Sequence, residues 1–215
     1  MAEHPDYAAS ERQQLADLLV ELGPDAPTCC AGWTTAELAA HLVIRESSLL
    51  SAAGIMLPPL ARRTAKATQE LLRTHGFLGV VGLFRTGPAG FTPWRIRKLD
   101  QAGNVLEFFV HHEDVRRARS DWQPRELAPD FENVLWSRLR NAGRLLFRRS
   151  AVGVLLARTP TGATVSAKRG EPVAVLEGPP SELLLYGFGR RDVAKVELRG
   201  PQNAISALVN TPLGL

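Results

Sequence analysis

The chain has 215 residues, of which 45% are hydrophobic and 22% charged, and 26 Lys and Arg against 22 Asp and Glu give a net charge of +4. These values are typical of a folded soluble protein and exclude an intrinsically disordered chain. Two cysteines exclude a disulfide framework. The densest run of arginines, at 138–149, is interpreted as a solvated helix face, so no nucleic-acid partner is expected.

The first 150 residues have the periodicity of α-helices. Leu15, Leu18, Leu19 and Leu22 recur at spacings of three and four, which is typical of a helix with one apolar face. The sequence TTAE at residues 34–37 is a capping box, which opens another helix. The pattern predicts helices over 7–22, 34–52, 60–74, 77–84, 96–119 and 129–149.

The period changes near Ser150. Short runs rich in valine and threonine, separated by Gly and Pro, predict strands over 152–157, 164–167, 173–176 and 193–198, with helices over 181–188 and 202–209. The expected fold class is therefore α+β. We predict a helical domain over 1–150 and a small α+β domain over 151–215, in the order β-β-β-α-β-α.

The first residues are acidic and contain no apolar signal segment, and no run reaches the roughly 18 apolar residues that span a membrane. We expect a cytoplasmic protein with no membrane partner. Cys29 and Cys30 are then expected to be reduced thiols.

One predicted helix carries residues that can bind a metal. Glu107 and His111 are four apart, which places both on one helix face, and Asp114 follows three residues later. Their neighbours are apolar nearly all round, which is typical of a buried helix, so the charged groups need a partner. Either they pair with one another or with arginine, or they hold a metal ion that His41 on another helix completes. Two histidines and one glutamate would leave a tetrahedral position open, as in catalytic zinc sites.

Neighbouring residues receive simpler interpretations. His112 points about 100° away from His111 and is predicted not to be a ligand. Glu113 is expected to form ordinary helix pairs with Arg116 and Arg117. Cys30 has no lysine or histidine near it in sequence and is interpreted as a small buried apolar side chain.

Two motifs resemble a known family. GWTTAELAAHL at 32–42 resembles the GW-(S/T)-x-x-(D/E)-L-x-x-H-(L/V) opening of the mycothiol-dependent maleylpyruvate isomerase-like family, which belongs to the DinB-like superfamily of metal-binding four-helix bundles. EFFVHHED at 107–114 is similar to the E-x-x-x-H-x-x-D motif of that family. The resemblance implies that His41, Glu107 and His111 are the metal ligands and that Asp114 supports them by orienting a ligating side chain.

The C-terminal region is similar to the small sterol-carrier-like domain that follows the bundle in the isomerases. The chain as a whole also resembles an actinobacterial metal-binding subfamily with no assigned reaction. The resemblance thus implies a DinB-like four-helix bundle followed by a sterol-carrier-like α+β domain. It also implies a divalent metal, with zinc expected although the same ligands accept nickel, iron or manganese.

The resemblance implies a mycothiol-dependent isomerase or S-transferase that acts on a small electrophile. Mycothiol is then the cosubstrate, and a small-molecule thiol and an electrophilic substrate are the partners. Arg95, Arg97 and Arg190 are candidates for holding a substrate carboxylate. The alternative is a non-catalytic divalent-metal-binding protein with a stress or detoxification role. A weaker one is a helical protein in which Glu107 and His111 merely pair.

Overall fold

The computed structural model describes residues 5–47, 61–88 and 97–214. The chain folds into two compact units, Met1–Gln123 and Pro124–Leu215. The first unit contains helices, and the second combines helices with a four-stranded sheet. The predicted α+β class is therefore confirmed. The assignment of the units as a DinB-like four-helix bundle and a sterol-carrier-like domain stays a prediction.

The described helices of the first unit are α1 (Tyr7–Leu22), α2 (Thr35–Ser47), α3 (Ala61–Thr86) and α4 (Arg97–Arg116). Helix α1 packs against α3 and α4, and α2 packs against α3. Their apolar faces form a core that includes Leu15, Leu38, Leu42, Phe84 and Phe108, all without exposed surface. The predicted ends of α2 and α4 at 48–52 and 96 lie outside the described residues.

Local signals explain where these helices begin. Asp6 caps α1, because its carboxylate accepts a hydrogen bond from the Ala9 amide at 3.0 Å. The predicted capping box opens α2: the Glu37 carboxylate accepts hydrogen bonds from the backbone amide of Thr34 at 2.8 Å and from its hydroxyl. The Thr34 hydroxyl in turn accepts from the Ala36 amide at 3.3 Å. These bonds fix the start of the helix that carries His41.

The two helices predicted at 60–74 and 77–84 form the single bent helix α3. Gly76 has φ 63° and ψ 170° and interrupts the helical backbone between them. This conformation is open essentially to glycine alone, so the kink follows from the residue type.

The second unit comprises α5 (Pro129–Leu146), β1 (Gly153–Arg158), β2 (Thr164–Lys168), β3 (Val173–Gly178), α6 (Pro180–Gly187), β4 (Glu197–Arg199) and α7 (Gln202–Val209). The strand order is β2-β1-β3-β4, and β1 pairs antiparallel with β2 and parallel with β3. Helix α5 packs against β2 and α6. At the second contact, the Glu132 carboxylate accepts hydrogen bonds from the Ser181 amide at 3.0 Å and hydroxyl at 2.7 Å.

The packing of α5 places it in the second unit, although the hydrophobic period changes only after it, near Ser150. That residues 1–150 and 151–215 fold as two separate domains stays a prediction.

The last strand is shorter than predicted: β4 covers Glu197–Arg199, whereas the sequence predicts a strand over 193–198. The amides of Val193 and Ala194 donate to the Arg190 carbonyl at 3.3 and 2.9 Å in a turn. The Lys195 amide donates to the Glu182 carboxylate at 2.8 Å. These three amides are thus taken by other acceptors before the chain reaches the sheet.

None of the described helices combines the length and the apolar character needed to cross a membrane.

Candidate metal site

Three predicted ligands come together in the first unit. His41 lies on α2, and Glu107 and His111 lie one turn apart on α4. One potential ligand atom of each residue lies within 4.8 Å of those of the other two. His41 and His111 are 5% and 6% exposed, and the Glu107 side chain is 21% exposed. The arrangement is thus a buried cluster with a partly accessible carboxylate.

The His111 imidazole lies between two carboxylates of its own helix. Its Nε2 is 3.2 Å from Oε2 of Glu107, and its Nδ1 is 3.0 Å from Oδ2 of Asp114. Asp114 is 1% exposed and therefore has little access to water. Contacts at both nitrogens fix the orientation of the ring, and either carboxylate can accept a hydrogen bond from the nitrogen that it faces.

Aromatic packing positions the second histidine. The His41 ring lies 5.2 Å from that of His111, at an interplanar angle of 73°. Trp33 packs against His41, with ring centroids 4.7 Å apart. Trp33 and His41 both belong to the motif at 32–42. This motif therefore supplies a histidine of the cluster and the indole that packs on it.

Charges in the cluster favour ionised groups. Burial by itself raises the pKa of Glu107, but the hydrogen bond from His111 and the charge of Arg45, together with the charges of the two imidazoles, lower it to about 2. Burial by itself lowers the pKa of the His111 imidazole, but hydrogen bonds with two carboxylates and with the Cys30 thiol raise it well above 6.5. Glu107 and His111 therefore compensate each other's charge in the buried cluster.

A buried polar network contacts Glu107 through Arg45. The Arg45 Nε lies 3.6 Å from Oε1 of Glu107, and the same guanidinium donates to the Asn104 side chain. Asn104 donates to Glu46 at 2.9 Å, and Arg12 of α1 forms two hydrogen bonds of 2.6 Å with that carboxylate. The network joins α1, α2 and α4, so the geometry of Glu107 depends on the packing of three helices.

The neighbouring helix pairs behave as predicted. Glu113 binds Arg116 at 3.0 Å and Arg117 at 2.6 Å. His112 contacts Glu11 of α1 through Nδ1 at 2.8 Å and joins neither potential metal-binding group among the described residues. His112 thus faces α1 instead of His41, in agreement with its predicted direction.

Cys30 is the residue that sequence reasoning missed. Its thiol donates a hydrogen bond to Oδ2 of Asp114 at 3.1 Å, and its sulfur lies 3.8 Å from Nδ1 of His111. The prediction of a merely apolar side chain is therefore wrong. Cys30 and Asp114 are 84 residues apart in sequence, so no local spacing reveals their contact.

The proposed role of three arginines in substrate binding stays a prediction. Arg95 lies outside the described residues, as does the side chain of Arg97. Arg190 belongs to the second unit, where its Nη1 donates to the Phe188 carbonyl at 2.6 Å.

The donor set fits a divalent cation. Imidazole nitrogen suits zinc, copper, iron and nickel, and a carboxylate oxygen is a common additional ligand. Cys30, His111 and Asp114 form a second group of potential ligand atoms within 4.8 Å of one another. His111 is common to both groups, through Nε2 on the Glu107 side and Nδ1 on the Asp114 side.

Comparisons with known proteins identify the fold. No protein-family model matches the chain, and no curated protein does. The crystal structure of the mycothiol-dependent maleylpyruvate isomerase is similar with a TM-score of 0.51 and 17% identity, over 90% of this chain and 91% of that chain. A histidine-to-alanine mutant of that isomerase gives a TM-score of 0.50 with the same identity and coverage. The predicted relationship is thus confirmed at the level of the fold, while the subfamily stays a prediction.

Proposed function

We propose that this protein is a metal-dependent, thiol-dependent transferase or isomerase that acts on a small electrophile, with mycothiol as the thiol. The observation that carries the proposal is the convergence of His41, Glu107 and His111 in one buried cluster. The similar fold of an isomerase described as mycothiol-dependent supports the choice of thiol. Because a fold does not determine a reaction, the chemistry depends on the residues of the cluster.

In this proposal two imidazoles and one carboxylate hold the divalent cation, and zinc is the expected ion. Held by these three residues, a divalent cation would have one open position and would lower the pKa of a thiol there toward neutral pH. His111 has to release the proton at Nε2 before this nitrogen can act as a ligand. Asp114 keeps the other proton at Nδ1, and Arg45 keeps Glu107 ionised.

Burial gives the cluster a second property that the chemistry needs. His41 and His111 are both less than one-tenth exposed, and Trp33 packs on the His41 ring. Electrostatic interactions are stronger where water is excluded. Exclusion of water would strengthen the attraction between the cation and a thiolate, so that more thiolate would be available near neutral pH to attack an electrophilic carbon.

Titration of mycothiol, or of a simple thiol, against the zinc-loaded protein tests this proposal. The bound thiol should ionise with a pKa well below the free value of about 8.5. The same titration without added thiol corrects for Cys29 and Cys30, and metal-free protein is the second control. A thiol that fails to bind, or that binds with an unshifted pKa, contradicts the enzymatic proposal and favours a non-catalytic metal-binding protein.

A further inference from the structure

Cys30 reaches the proposed metal site from the loop that precedes α2. The Cys29 amide donates to the Asp114 backbone carbonyl at 2.9 Å, which ties this loop to the end of α4. The Trp33 amide donates to the Cys30 carbonyl at 3.0 Å and closes a turn. The thiol of Cys30 is therefore held beside Asp114 by backbone contacts on both sides of it.

The carboxylate of Asp114 receives two donors at one oxygen. Oδ2 accepts from the Cys30 thiol at 3.1 Å and lies 3.0 Å from Nδ1 of His111. A carboxylate that orients a ligating histidine is usually held by further hydrogen bonds, and these outer partners influence metal affinity. The three groups thus form a chain from thiol to carboxylate to imidazole.

We propose that Cys30 is a positioning residue for the metal-binding imidazole: its thiol holds Asp114 in the orientation from which this carboxylate fixes His111. This inference rests on the proposed function, because it assumes that His111 binds the cation through Nε2. Cys30 does not touch the cation in this arrangement, since its sulfur lies on the Nδ1 side of the ring and Glu107 lies on the Nε2 side.

The chemistry of the side chain distinguishes positioning from simple packing. A serine at position 30 keeps a donor hydrogen, whereas alanine and valine lack one, and valine also keeps the bulk of the side chain. If the hydrogen bond matters, serine should preserve the site and valine should not. If only volume matters, valine should be the better replacement.

The experiment measures zinc affinity of the full chain by competition with a chromophoric chelator. Cys30→Ala and Cys30→Val should bind zinc on the order of tenfold more weakly than the unmodified protein, as is typical for loss of outer partners. Cys30→Ser should remain close to the unmodified protein, and Cys29→Ala is the matched control that should not change. Far-UV circular dichroism identifies a variant that fails to fold. If Cys30→Ala or Cys30→Val fails to fold, the zinc affinity of the other variant tests the inference.

Other outcomes overturn the inference in distinguishable ways. Unchanged affinity in the donor-free variants, or equal losses in Cys30→Ser and Cys30→Val, shows that the thiol donor does not position the site. A thiolate-to-cobalt charge-transfer band in the cobalt-loaded protein that disappears in Cys30→Ala shows that Cys30 is itself a ligand. No zinc binding by the unmodified protein overturns the proposed function and this inference together.

Discussion

His111 is held on both sides by carboxylates of its own helix, Glu107 one turn earlier and Asp114 three residues later. Because both nitrogens have partners, the ring is oriented before any cation arrives, which reduces the cost of organising a site. His41 approaches from α2 and depends on the packing of that helix. The cluster is thus preorganised mainly by α4 and completed by α2.

Glu37 should make stability depend on pH. Hydrogen bonding to the Thr34 side chain lowers the pKa of Glu37, although burial acts in the opposite direction. An unfolded glutamate has a pKa of about 4.3, so ionised Glu37 stabilises the fold above about pH 4.3. That contribution is lost as the pH falls below this value toward the lower pKa of the folded state.

Urea unfolding of Glu37→Gln at several pH values tests this expectation. Near pH 7 the variant should be less stable by about 0.3–1 kcal/mol, because glutamine keeps a hydrogen-bond acceptor but lacks the negative charge that a helix N-terminus stabilises. In acid the difference should shrink, because the native carboxylate becomes protonated while glutamine does not titrate. Glu21→Gln, at an exposed position of α1, is the control. A difference that stays constant from neutral pH to about pH 3 would contradict the assignment.

At the scale of elements, the bend in α3 depends on one residue. Gly76 has a positive φ, whereas Gly82 lies six residues later in the same helix without one, and a Cβ at either position meets no atom within 4 Å. The two glycines therefore differ in backbone conformation and not in available space.

This pair allows a matched comparison by thermal or chemical unfolding. Gly76→Ala should destabilise the protein by about 1–3 kcal/mol, because alanine is strained in this conformation. Gly82→Ala should stabilise it by about 0.5–1 kcal/mol, because glycine in a helix is entropically unfavourable. If both variants are stabilised, α3 is straight through Gly76.

At the scale of the whole molecule, α5 separates two possible domain boundaries. A fragment of residues 124–215 should unfold cooperatively, because it keeps the packing of α5 against β2 and α6. A fragment of residues 151–215 loses this packing, including the Glu132–Ser181 hydrogen bonds, and should show no cooperative transition. Circular dichroism during urea unfolding measures both. A cooperative transition of equal stability in the shorter fragment would favour the boundary near Ser150.

Local patterns predicted much of the fold. The predicted bounds of α1 and α7 agree with the structure. The residues that mark the ends of these helices lie close to them in sequence, so a local pattern is enough to find them. The short run at 193–198 was predicted to be a strand throughout, but the amides of Val193, Ala194 and Lys195 donate to a turn carbonyl and to a carboxylate distant in sequence. Local composition cannot reveal those competing acceptors.

The candidate site was also predictable only in part. Glu107, His111 and Asp114 could be grouped from sequence because helical spacing places them on one face. The contact between Cys30 and Asp114 joins a loop to the end of a distant helix, and the buried pair Arg12–Glu46 joins α1 to α2. These contacts depend on how the helices pack, which the local spacing of residues does not reveal.

Zinc content after loading and exhaustive buffer exchange shows whether His41, Glu107 and His111 hold a metal ion. The unmodified protein should retain one zinc ion per chain, and His75→Ala, which changes an exposed histidine of α3, should retain the same amount. His111→Ala and His41→Ala should each lose most of the zinc while keeping the helical circular dichroism spectrum. Full zinc occupancy in folded His111→Ala and His41→Ala, or no retained zinc in the unmodified protein, would show that these residues do not form a metal site.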